Sequence, residues 1–190
     1  MTPAPVPSPI WTIGHWTRPQ EAFLGPLREQ EIDVVVDVRA HPGSRSTPHF
    51  GRDQIPKWLT DNGIGYQHIE ELGGRRPKQP DIDPALNAGW RNQSFHKYAD
   101  YTRTEPFRRG LDQLISLAAD HRVTLLCGEP MPWRCHRLLV ANVLTAHGRP
   151  VEHLFTDRPP TPHEFGRWGA QPLVEADGNV RYPGPLEGSV

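Results

Sequence analysis

A chain of 190 residues, 36% of them apolar, has enough material for one hydrophobic core and too little for two. A formal charge of -1 gives no overall pull toward nucleic acid or anionic lipid, so any site for a polyanion has to be local. No apolar run is long enough to cross a bilayer, and Met1-Thr2-Pro3-Ala4-Pro5-Val6-Pro7 lacks the basic and apolar regions of an export signal, so a cytoplasmic location, no membrane partner and free thiols are expected.

Residues 1–9 are proline-rich and are expected to be disordered or extended. Residues 10–13 read as a short strand ending in Gly14-His15. Arg18-Pro19 then opens a helical stretch to about Gln30, with Phe23, Leu24 and Leu27 on one face. Residues 33–38 are apolar and β-branched on both parities, the pattern of a central parallel strand covered on both sides. Residues 39–51 form a loop, and Asp53 is expected to cap a helix running to about Asn62 before Gly63. A strand at 65–69 leads into a loop to residue 95 that carries Gly73-Gly74-Arg75-Arg76-Pro77; loops of that length in a compact domain usually have a function.

Helical periodicity returns over 97–120, broken near Pro106, which a first turn tolerates. A buried strand at 123–126 ends at Cys127. Residues 128–133 make a turn, and 134–147 read as a helix with Leu138, Leu139, Val143 and Leu144 inward, stopped by Gly148. A last strand is expected at 151–155. Residues 157–190 are rich in proline, glycine and charge, and read as a tail packed on the domain or extended.

Strands alternating with helices predict an α/β fold: a single domain over residues 10–156 with a mostly parallel five-stranded sheet flanked by helices, rhodanese-like or flavodoxin-like. Such sheets bind ligands at the carboxyl ends of their strands. His15 follows the first strand, Arg39 and His41 the second, Glu70 and Glu71 the third, Cys127 and Glu129 the fourth.

The most specific pattern is Cys127-Gly128-Glu129-Pro130-Met131-Pro132-Trp133-Arg134-Cys135-His136-Arg137, which ends a strand in one cysteine and is expected to put a Cys-His-Arg triplet on the first turn of a helix. With Thr12-Ile13-Gly14-His15, Val36-Asp37-Val38-Arg39, Leu72-Gly73-Gly74-Arg75-Arg76 and Tyr98-Ala99-Asp100-Tyr101, it resembles the DUF488 family across about residues 10 to 155. That resemblance implies the fold, and functional cysteines, without naming a reaction. The strand ending in Asp37-Val38-Arg39 and the cysteine at a later strand end also look like the rhodanese layout. Pro130 and Pro132, however, remove two amide donors that would cradle a persulfide. Cys127 and Arg134 stand one residue too far apart for the cysteine-phosphatase pattern.

A cysteine near a helix N-terminus and guanidinium groups is ionised more readily than a free thiol. The expected roles are therefore Cys127 as nucleophile, Glu129 and His136 as proton-handling partners, and Cys135 as a second thiol able to pair reversibly with Cys127. The candidate substrate-binding set is His15, Asp37, Arg39, Ser44, Arg75, Arg76, Tyr98, Tyr101 and Arg137, with Asp37 organising the site by pairing with Arg39, Arg137 or loop amides. An anionic small molecule or nucleotide is the expected partner.

No metal and no cofactor are expected. His15, His41, Cys127, Cys135 and His136 offer suitable atoms, but no Cys-x-x-Cys knuckle occurs, and neighbours such as Cys135 and His136 on a helix point about 100° apart. Two alternatives stay open: a nucleic-acid-processing enzyme of the repair or base-removing kind that uses carboxylates and arginines interleaved with aromatics, and a noncatalytic module for a phosphorylated ligand.

Overall fold

Along the first strand, β1 (Ile10–Gly14), Ile10 joins one hydrophobic cluster while Trp11 and Ile13 join another, because successive side chains leave a sheet on opposite faces. The same split recurs at Val35 and Val36 in β2 (Val34–Asp37) and at Leu125 and Leu126 in β4 (Val123–Cys127). These strands, with β3 (Gly65–His68) and β5 (Val151–His153), are parallel, and a short β6 (Thr161–Pro162) closes one edge antiparallel to β5. The order is β3-β2-β4-β1-β5-β6. The sheet of this single α/β domain thus has six strands rather than the five expected; the added strand has two residues, too few to leave a period in the sequence. The coordinates form a computed structural model that describes residues 7–43 and 45–185. Ser44 lies outside the described residues, as do the outer parts of both predicted terminal segments.

Helices α1 (Gln20–Glu29) and α2 (Ile55–Asp61) cover one face through Phe23, Leu24, Leu27, Ile55, Trp58 and Leu59. Helices α3 (Gln93–Tyr101), α4 (Glu105–Asp120) and α5 (Arg137–Ala146) cover the other through residues such as Tyr98, Leu111, Leu114, Leu139 and Leu144. No described helix is long and apolar enough to cross a membrane.

Three helix starts differ from expectation. Helix α3 begins at Gln93 rather than 97, because the Asn92 side chain caps it by accepting from Ser94 N at 2.9 Å. Asp53 does not cap α2, which begins after Gln54 and places Pro56 in its first turn, where a missing amide costs nothing. Helix α5 begins at Arg137 rather than Arg134. Pro132 opens a separate 3-10 turn, Pro132–Arg134, and Cys135 follows it in an extended conformation (φ -133°, ψ 150°) before His136 turns into the helix. The amide of Cys135 is already spent on Pro132 O at 3.1 Å, so the turn closes on itself instead of propagating.

Described residues beyond Asp157 are bonded to the domain at several points. A hairpin of β7 (Leu173–Val174) and β8 (Val180–Arg181) delivers Tyr182, whose buried hydroxyl accepts from Asn142 Nδ2 at 2.9 Å. Asn142 Oδ1 accepts from His163 Nε2 at 2.9 Å, His163 Nδ1 from His153 Nε2 at 3.1 Å, and His153 Nδ1 from the Thr12 hydroxyl at 2.8 Å. This one-way chain needs both imidazoles neutral, and burial does lower their pKa values, to about 3 for His153 and about 4 for His163. In the unfolded chain both would titrate near 6.5. Below that pH the unfolded state binds more protons than the folded one, so stability is fully present above about pH 6.5 and falls as pH drops toward 4. Each histidine contributes up to ~1.4 kcal/mol per pH unit to the slope. Urea titrations should show the midpoint falling steeply from pH 6.5 to 4.5; a flat profile would show that the pair is not held neutral.

Candidate functional site

Pairing between β1 and β4 sets Gly14 beside Cys127, and the ladder continues past both strands: His15 N donates to Cys127 O and Trp16 N to Gly128 O, each at 2.9 Å. An added Cβ at Gly14 would sit 2.0 Å from Glu129 O, so the loop after β4 rests directly on the end of β1. Strand β2, on the other side of β4, brings Asp37 and Arg39 to the same edge.

Asp37 is fully buried and accepts from Arg39 N at 3.0 Å, Arg39 Nε at 2.9 Å, Arg39 Nη2 at 2.5 Å and the Tyr66 hydroxyl at 2.8 Å. Burial and the carboxylate beside it push the Tyr66 phenol above its ordinary range. For Arg39, burial opposes the charge, but the hydrogen bonds and charge of Asp37 outweigh it and raise its pKa. The remaining Arg39 Nη1 faces His15 Nε2 at 3.3 Å. His15 Nδ1 lies 2.7 Å from Trp16 O, an acceptor, so Nδ1 carries the proton and Nε2 the lone pair. Burial, helped by the Arg39 charge and opposed by the bond to Trp16, lowers the His15 pKa to about 4 and keeps the ring neutral. The imidazole is stacked on Phe50 at 4.4 Å.

Across the crevice, Cys127 Sγ, Cys135 Sγ and a ring nitrogen of His136 all lie within 4.8 Å of one another. His136 Nε2 is 2.8 Å from Val38 O and must donate to it, which leaves the Nδ1 lone pair 3.5 Å from Cys135 Sγ. Arg137 lies beneath, 1% exposed, donating to Thr12 Oγ1 at 3.2 Å and to Glu129 O. Its buried Nε has no partner, and no carboxylate pairs with it among the described residues.

The two thiols differ in acidity. Burial opposes a charge on Cys135, but the S–H of Cys127, the His136 ring and the Arg137 guanidinium outweigh it and hold this thiol well below the ordinary range. Cys127 moves the other way: its proton is engaged by Cys135, and burial adds to that. The extended backbone at Cys135 makes this contact. On a helical turn, as the sequence suggested, the sulfur and the adjacent imidazole would diverge; the actual backbone lets them converge, so the geometric objection to a shared ion does not hold.

A cavity of about 740 Å³ opens over this edge. Of the candidate residues, His15, Arg39, Arg75, Tyr98, Cys127, Glu129, Cys135 and His136 line it. Asp37 and Arg137 stand behind its wall, fixing Arg39 and Glu129. Arg76 and Tyr101 do not reach it: Tyr101 donates to Glu71 O at 2.8 Å, Arg76 donates to Gly73 O at 2.8 Å and stacks over the Tyr101 ring, and together they tie the glycine loop to α3. Tyr98 spends its hydroxyl on Leu72 O at 2.6 Å and offers the cavity only its ring. Sequence reasoning missed Trp16, 54% exposed at the cavity wall with φ 46°; an aromatic directly after a strand-end histidine is the one hint it leaves.

A family model described as "Domain of unknown function DUF488" matches residues 19–144, a span that holds Arg39, both cysteines, His136 and Arg137. Searches of curated proteins and of solved structures returned no match.

Proposed function

Because the chain belongs to the DUF488 family, a domain of unknown function, we propose its activity from the site alone: a thiol-dependent enzyme, transferase or hydrolase, that acts on an anionic small molecule or nucleotide. The observation that carries this reading is the meeting of two sulfurs and an imidazole on the wall of a cavity that also presents Arg39, Arg75 and Arg134. Arg75 and Arg134 are exposed and pair with no carboxylate among the described residues, so both are available to an anionic group.

The nucleophile in this proposal is Cys135 rather than Cys127, because Cys135 has the imidazole lone pair at 3.5 Å to take its proton. Its sulfur bonds to an electrophilic centre of the substrate while the leaving group departs with the proton held by His136. Arg137, which no carboxylate among the described residues neutralises, favours negative charge on the sulfur. Cys127 donates a hydrogen bond to that sulfur, Glu129 faces the cavity as a further proton-handling group, and the neutral His15 lines it beside Arg39.

The test is iodoacetamide alkylation of the reduced, chelator-treated protein at neutral pH with mass mapping. Cys135 should react about tenfold faster than free cysteine, and a phosphate-bearing ligand such as AMP should slow it. A rate no greater than that of the same chain in urea would remove the proposal.

A further inference from the structure

The imidazole of His136 is held as a ligating histidine is held. Its Nε2–H is committed to the Val38 carbonyl at 2.8 Å, which fixes the tautomer and turns the Nδ1 lone pair toward the sulfur; a backbone carbonyl behind the ring is a common support for a metal-bound histidine. Room at that lone pair depends on Gly74, since a Cβ there would stand 2.7 Å from Nδ1.

The spacing fits an ion as well. A tetrahedral centre with bonds of ~2.3 Å to sulfur and ~2.05 Å to nitrogen spans about 3.5 Å from ligand to ligand, and Cys135 Sγ and His136 Nδ1 are 3.5 Å apart. Cys127 Sγ completes a set whose members all lie within 4.8 Å of one another, so one ion can reach all three after small side-chain shifts. Two thiolates neutralise a divalent charge. Two sulfurs and one imidazole select a soft or borderline cation over magnesium or calcium.

We propose that Cys127, Cys135 and His136 bind a divalent cation of the zinc class through three protein ligands, with the fourth position open to the cavity for water or an anionic group. This goes beyond the thiol reading. An ion there occupies the sulfur lone pairs that a nucleophile uses, so the metal-bound form is silent toward alkylating reagents and the metal-free form carries the reactivity.

Cobalt titration of the reduced, metal-stripped full-length protein under anaerobic conditions tests the site. One equivalent of Co²⁺ should give the visible bands of a four-coordinate ion and a thiolate-to-cobalt charge-transfer band, both removed by Zn²⁺ and untouched by Mg²⁺. Cys127→Ser and Cys135→Ser should each lower the charge-transfer intensity by about half, as expected when one of two thiolate ligands is lost, and His136→Ala should weaken binding at least ~10-fold. No such bands, or bands unchanged in both serine variants, would overturn the proposal. Should a variant misfold by circular dichroism, the wild-type protein decides: Zn²⁺ should block iodoacetamide at both cysteines, and equal alkylation with and without Zn²⁺ would overturn it. Slow alkylation of the metal-free protein alongside clear cobalt bands would remove the thiol reading only; fast alkylation without bands would remove this one only.

Discussion

Asp37→Ala is expected to lower folding stability by ~3–5 kcal/mol, the cost of leaving one member of a buried ion pair without its partner. Asp37 is fully buried and Arg39 is 7% exposed, so little water can replace the lost carboxylate. The carboxylate also takes the Arg39 amide and the Tyr66 hydroxyl, both of which the substitution strands. The damage should reach the cavity, because Arg39 Nη1 faces His15 Nε2 only while its other nitrogens are anchored. Urea unfolding of the variant at pH 7 measures this; a loss under ~1 kcal/mol would mean that the pair is solvated in solution.

The second large effect is expected at Gly14. An alanine Cβ there would lie 2.0 Å from Glu129 O and 2.6 Å from Pro130 Cα, both backbone atoms with no rotamer to escape into. Either β1 or the loop from Gly128 to Arg134 has to move, at ~1–3 kcal/mol or more. Since Arg137 grips the same Glu129 carbonyl, and that loop leads directly into Cys135, Gly14→Ala should also slow alkylation of Cys135 several-fold. Unchanged stability together with an unchanged rate would show that the close approach is not needed.

The sheet edge was legible in the sequence because apolar runs of β-branched residues mark buried parallel strands, and parallel strands all end on one side. Residues 34–37 and 123–127 carry that pattern, so Arg39, His15 and Cys127 could be placed together from spacing alone. The position of Cys135 was not legible. Apolar periodicity after residue 134 runs smoothly into α5 and does not register the 3-10 turn that Pro132 opens, so the sulfur was set on a helix and its contact with His136 was missed.

The order of acidity was hidden for a related reason. It depends on Cys127 donating to Cys135 and on Val38 O fixing a ring nitrogen, contacts made across 8 and 98 positions of chain. Arg76 and Tyr101 show the opposite error: an arginine and a tyrosine near a glycine loop resemble a binding surface, yet both bond the carbonyls of residues 70–73 and hold that loop in place. The strand β6 pairs with β5 over only two residues, and Tyr182 is anchored by bonds to Leu86, Asn87, Gly89 and Asn142, contacts between distant segments that leave no periodic trace.

Iodoacetamide kinetics on metal-free Cys127→Ser isolate Cys135 as the sole thiol. Its modification should be faster than that of free cysteine at pH 7, with most of that advantage lost when His136→Ala is added. A Cys135 that reacts no faster than in the unfolded chain, or whose rate ignores the imidazole, would contradict its role as the nucleophile.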